Sequence, residues 1–304
     1  MRYQPHDDDP RAFGGLFRIH HTRGVARATA LDGGRASPFE VWTGQKLLGF
    51  MQGHPCIGAR SLAGKAEDTR DAAGSGRAPY EGLLFSSYAD MSSVASAIAF
   101  IDDLENYYRV SDSIDAVLKT FVAVFPRVDI SGQTEFAEHY WAFAQLLCDV
   151  SSLTHGWDAN ASSDPLDDSF ELSLAGRAVF TTTLNPHSNR IARRFHYPAW
   201  VMNQTRQFDA LREAGDFDRW KASIRAKDAA IDPSGQPNPI LDDHGAASSA
   251  PQLAGSALDP CPLVVPKSMQ EVRAAGERLL RRSQQEGASR SITEDLCRRI
   301  EALA

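Results

Sequence analysis

The segment Asn185–Phe195, NPHSNRIARRF, gathers an unusual density of side chains able to do chemistry. His187 stands beside Pro186 just after a run that reads as a strand, and Arg190, Arg193 and Arg194 follow closely. A neutral imidazole is the commonest axial donor to haem iron. Guanidinium forks suit carboxylates, the haem propionates among them. The same residues also make sense as a solvated turn with surface ion pairs, because haem ligation imposes no strict local spacing. Spacing alone leaves both readings open.

The four cysteines, Cys56, Cys148, Cys261 and Cys297, are scattered, with no C-x-x-C pair and no Cys/His zinc spacing. Reduced thiols in a cytoplasmic protein are the expectation. The 304 residues carry a net charge of −7, with 42% hydrophobic and 23% charged residues. That acidic balance argues against a nucleic-acid partner or an anionic membrane surface. No run reaches the roughly 18–20 apolar residues of a membrane span, and the opening residues lack the basic-then-apolar pattern of a secretory leader.

The elements that must position these groups follow from periodicity. Residues 1–37 read as a flexible N-terminal arm, and 39–51 as helical or mixed, leading into a turn at Gly53–Ala59. Short apolar runs at 82–89 and 117–125 predict strands, and 197–203 is a further strand candidate. Helical spacing appears over 91–108, from Thr134 as N-cap through Val150, and over 206–230. Phe170, Leu172 and Leu174 alternate with polar residues, Ala175-Gly176 can turn, and 179–184 returns as a hairpin. Residues 62–80 and 232–262 read as loops. Two last helices open on capping boxes, Ser268 with Glu271 and Ser291 with Glu294. The expected class is α+β: a mixed or antiparallel sheet, flanking helices and a C-terminal helical pair. Residues 38–262 form the main domain and 263–304 a helical extension, packed on that domain or on a second copy in a homodimer.

Several pieces recur in a set order: His54-Pro55-Cys56-Ile57-Gly58-Ala59, then Ser163-Asp164-Pro165 and Phe170. Next come Asn185-Pro186-His187-Ser188-Asn189-Arg190, Ala192-Arg193-Arg194-Phe195, Tyr197-Pro198, Asn203 and Gln207-Phe208 with Leu211-Arg212. Asn238-Pro239-Ile240-Leu241 and His244-Gly245 close the series. Over residues 40–245 this ordered set resembles the YqcI/YcgG family, the pre-guanitoxin N-hydroxylase-like haem proteins. Two departures stand out. His54 occupies a position where an aromatic is commoner, and 248–256 only loosely follows the family's acidic, tyrosine-containing stretch.

The resemblance implies a haem-dependent N-oxygenase. It would bind haem b and use O2 or H2O2 to hydroxylate a nitrogen of L-arginine or a related guanidine. His187 is then the first choice for the iron ligand, with Cys56 the competitor, since a thiolate pushes electron density onto iron. Arg190, Arg193 and Arg194 would hold the propionates. A guanidinium needs carboxylate partners, for which Asp158, Asp164 and Glu171 are candidates, and Arg60 can meet an amino-acid carboxylate. The aromatic face Phe136, Tyr140 and Phe143 either shields the porphyrin or is simply core. With no dinucleotide or flavin fingerprint, an O2 route needs an external electron donor. The alternative is a haem-binding carrier or sensor without turnover.

Overall fold

The computed structural model describes residues 15–22, 25–62, 82–114, 118–167, 169–238 and 261–303. Seven strands pair into one mixed sheet: β1 (Phe17–Thr22), β2 (Val25–Ala30), β3 (Leu83–Ser87), β4 (Thr120–Val124), β5 (Ser173–Leu174), β6 (Arg177–Leu184) and β7 (Ala199–Gln204). Their order is β2-β1-β3-β4-β7-β6-β5. Only β3 and β4 run parallel. Parallel neighbours need a crossover, supplied here by helix α3 (Val94–Ser113). The chain is an α+β protein, as its mixed periodicities predict.

Alternation along the central strands sends residues to two different layers. On the first face, Phe121 and Ala123 of β4 and Trp200 and Met202 of β7 meet α3, α4 (Gln133–Ser152), α7 (Met269–Gln285) and α8 (Arg290–Glu301) in one core. Tyr140 lies 4.3 Å from Trp200 between ring centroids, and Phe143 packs edge-on to Phe125. The aromatic stripe of α4 is therefore core, and none of its three rings lines the cavity described below. Leu279 and Leu296 bring the C-terminal pair into the same core, and Arg299 reaches Asp102 at 2.9 Å.

The second face is covered by α1 (Pro38–Gln52), α2 (Ile57–Leu62), α5 (Arg206–Glu213) and α6 (Phe217–Ile231). Pro38 opens α1, and a capping box pairs Ser37 with Glu40, which satisfies two otherwise orphaned amides. No helix among the described residues is long and apolar enough to cross a membrane.

Several boundaries differ from the sequence reading for identifiable reasons. The stretch read as a loose arm holds the β1–β2 hairpin, which pairs with β3, and the Gly15 amide donates to the Asp103 carboxylate at 3.1 Å. Residues 206–230 make two helices rather than one, because Gly215 at φ +72° leaves the helical region. Helix α4 starts after Gly132 rather than Thr134. Glu135 serves its first turn by accepting from the Ser131 amide at 2.7 Å and hydroxyl at 2.6 Å. The Ser268–Glu271 box is present, but α8 is capped at Ser289, and Ser291 lies inside the helix. Both residues of the Ala175-Gly176 turn take positive φ, 49° and 75°, as a tight hairpin connection requires. Most of the two expected loops, and His244 with them, lie outside the described residues.

Candidate functional site

The second face of the sheet does not close on its helices. A cavity of about 460 Å³ lies between the β4–β7–β6 strands and α1, α2, α5 and α6. Its floor is small and mixed in polarity: Thr120 and Val122, Val201 and Asn203, Thr182 and Leu184. The register pairs Thr120 with Asn203 and Asn203 with Phe180, so these three form one cross-strand row. The Thr120 hydroxyl donates to Asn203 Oδ1 at 2.6 Å and fixes that amide's orientation.

The wall beside α2 carries His54 and Cys56. The His54 ring is engaged at both nitrogens: Nε2 lies 2.8 Å from Ala192 O, and Nδ1 accepts from the Cys56 amide at 3.0 Å. Burial pulls its pKa down to about 4, so the ring is neutral, with its proton on Nε2. That leaves no lone pair for a metal, and His54 acts as a strut between α2 and the 191–193 turn. The Cys56 thiol is pushed up by burial. Backbone N–H groups of Ala59 and Gly58, and then Arg60, pull it the other way. Those donors favour a thiolate once a cation compensates its burial. Gly58 also keeps the space clear, because a Cβ there would sit 3.1 Å from Leu118 Cδ1 and 3.6 Å from the Cys56 sulfur.

The segment Asn185–Phe195 turns out to be mostly scaffold. Asn185 is buried; its Oδ1 accepts from the His187 amide at 2.9 Å and its Nδ2 donates to Gln133 at 3.0 Å. Its backbone pairs with Arg193 and Phe195. The resulting turn leaves His187 exposed and outside the cavity lining. Arg194 is exposed as well, its Nε donating to Ser188 O at 3.1 Å. Arg190 reaches the cavity but is held by Asp228 at 2.5 Å, Asp232 at 3.2 Å and the Gln236 carbonyl at 2.9 Å. Arg193 lines the cavity as well, close enough to Asp228 and Arg190 to feel both charges. Burial lowers its pKa to about 10.

The three carboxylate candidates separate in the same way. Asp158 accepts from the Ala178 amide at 2.8 Å and the Asn160 amide at 3.0 Å, which fastens the loop entering the hairpin. Asp164 accepts from the Leu166 amide at 3.1 Å in an exposed turn. Neither lines the cavity. Glu171 does, beside Phe180, and burial pushes its pKa up.

One contribution has little trace in the sequence. Phe217, Trp220, Lys221, Ile224, Arg225 and Asp228 recur at helical spacing, and this stripe of α6 forms the cavity's outer wall. A helix with alternating charges reads as solvated, and only its mixed aromatic content hints otherwise.

The lining fits an iron porphyrin in three respects: a broad apolar slot, a soft donor in Cys56, and cations for carboxylates. The YqcI/YcgG family model matches residues 74–263. No curated protein and no solved structure matches the chain. Glu171, Arg193 and α6 lie inside the matched segment, whereas His54 and Cys56 precede it. With well over half of its length matched, the chain belongs to the YqcI/YcgG family.

Proposed function

We propose, with membership of the YqcI/YcgG family as the premise, that this protein is a cytoplasmic haem-dependent N-oxygenase acting on L-arginine or a related guanidine. The observation that carries the reading is a mostly apolar cavity whose walls hold both a thiol with backbone N–H donors and a half-buried carboxylate. Cys56 as thiolate would hold the iron, and Glu171 would hold the substrate's guanidinium.

Haem b bound in this cavity supplies the activation of O2 or H2O2, which no amino-acid side chain provides. One oxygen atom enters an N–H bond to give N–OH. With O2 the second oxygen leaves as water, at the expense of two electrons from an external donor; with H2O2 water leaves without one. The chain's own part is positioning and proton handling. Glu171 offers two oxygens to a guanidinium fork, and in its poorly solvated position it is a stronger base than in water. It therefore orients the nitrogen and takes up the proton that the nitrogen must shed. Phe180 and Val201 exclude water, and Asn203, oriented through its Oδ1 by Thr120, presents its amide hydrogens to a polar group of the substrate.

The test is mass spectrometry of products from haemin-loaded protein given L-arginine with peroxide, or with O2 and a reductase. A product heavier by one oxygen is expected. Glu171→Gln should raise KM at least about tenfold, the loss of one charge-assisted bidentate contact. Haem binding without any oxidised guanidine would make the protein a carrier or sensor instead.

A further inference from the structure

Two neutral side-chain amides at one end of the cavity have their oxygens tied down. The Thr120 hydroxyl donates to Asn203 Oδ1 at 2.6 Å, and the Lys119 backbone amide donates to Gln207 Oε1 at 3.0 Å. A backbone N–H can be met only by the oxygen of a side-chain amide, so Gln207 is fixed with its NH2 group turned the other way. Gln207 is 9% exposed, and its Nε2 is buried with no acceptor among the described residues. An unanswered donor of this kind costs free energy in the folded protein. Asn203 and Gln207 both line the cavity, where a bound acceptor can answer them. Gln207 also stands in the first turn of α5, whose N-cap Thr205 lines the cavity and makes no side-chain cap. The positive end of a helix favours an anion.

The sheet sets this pair at a defined distance from Glu171. The Val179 amide donates to Leu172 O at 2.8 Å, which places Glu171 alongside Phe180, and Phe180 pairs with Asn203. Glu171 and Asn203 therefore stand two strand spacings apart, about 10 Å at the backbone, with Phe180 between them. Resting on the guanidine reading above, we infer that Asn203 and Gln207 are the subsite for the substrate's carboxylate. The substrate class is then an α-amino acid that carries a guanidine, not a bare guanidine. Its guanidinium meets Glu171, its aliphatic stem crosses Phe180, and its two carboxylate oxygens accept from the two amides. Arg60, the residue that the sequence suggests for this carboxylate, lies off the cavity lining and donates to the His54 carbonyl at 3.4 Å.

The test is calorimetric titration of the full-length, haemin-loaded protein with L-arginine and, separately, with agmatine, the same guanidine without the carboxylate. Wild type should bind L-arginine about tenfold more tightly or better. Asn203→Asp and Gln207→Glu keep the oxygens that Thr120 and Lys119 hold and replace each NH2 donor by a negative charge. Each should raise the L-arginine Kd about tenfold or more, while agmatine binding holds or tightens. Gln207→Ala, which buries no charge, carries the same test if Gln207→Glu melts early, and should bring L-arginine toward the agmatine level. Equal affinity of wild type for the two ligands overturns the carboxylate subsite and leaves the guanidine reading standing. So do variants that shift both ligands alike or leave L-arginine unmoved. Wild-type protein that takes up no haemin, or takes it up and binds neither guanidine, defeats that reading and the subsite with it.

Discussion

The two faces of the central sheet are built from the same strands yet do different work. Along β7, Trp200 and Met202 point into a core with no measurable exposure, while their neighbours Val201 and Asn203 point into the cavity. The contrast lies in side-chain volume and polarity. One face has Phe121 and Trp200, which fill the space to the helices and meet Phe143 of α4. The other has Thr120, Val122, Thr182 and Val201, which leave it open. A strand thus separates stability from binding with a period of two residues.

Adjacent substitutions should break this division most visibly. Trp200→Ala removes a fully buried indole and should cost about 3–5 kcal/mol, read from urea unfolding. Val201→Trp, one residue along, grows into open space and should leave the unfolding midpoint nearly unchanged while haemin binding by Soret titration is lost. Equal destabilisation by the two would mean that the second face is packed like the first.

The smallest expected effect concerns the tie between the layers. Asp112 at the end of α3 accepts from Arg177 of β6 at 3.0 and 2.7 Å and also from Arg206 of α5. Hydrogen bonding to Arg177, then to Arg206, lowers the Asp112 pKa to about 2. A carboxylate with a depressed folded-state pKa adds stability above its unfolded pKa and loses it as pH falls toward the folded value. Asp112→Asn should therefore lower Tm slightly at pH 7. The difference from wild type should shrink below about pH 4 and vanish near pH 2. The pair is partly exposed, so added salt should shrink the effect as well.

The sequence made the first face legible and the second only in part. The hairpin was visible because Phe170, Leu172 and Leu174 alternate and Ala175-Gly176 can take positive φ. The α4 stripe was visible because helical spacing marks a buried face, although the pattern does not say which side of a sheet that face meets. The placement of His187 is not legible, because residue type and local spacing do not tell which side chains of a turn point inward. In the fold, Asn185 uses the His187 amide to shape the turn, and the imidazole is left outside. Lys221 and Arg225 are illegible for the opposite reason: basic residues on a polar helix look solvated until the helix is seen across a cavity. Cys56 is hard to read for another reason: a thiol among small apolar residues is usually an inert core group.

The most direct test of the account compares two variants of the haemin-loaded protein in the visible spectrum. His187→Ala should leave the Soret band in place, and Cys56→Ser should shift or abolish it. A band that moves with His187 and ignores Cys56 would contradict the assignment of the cavity as the seat of the iron.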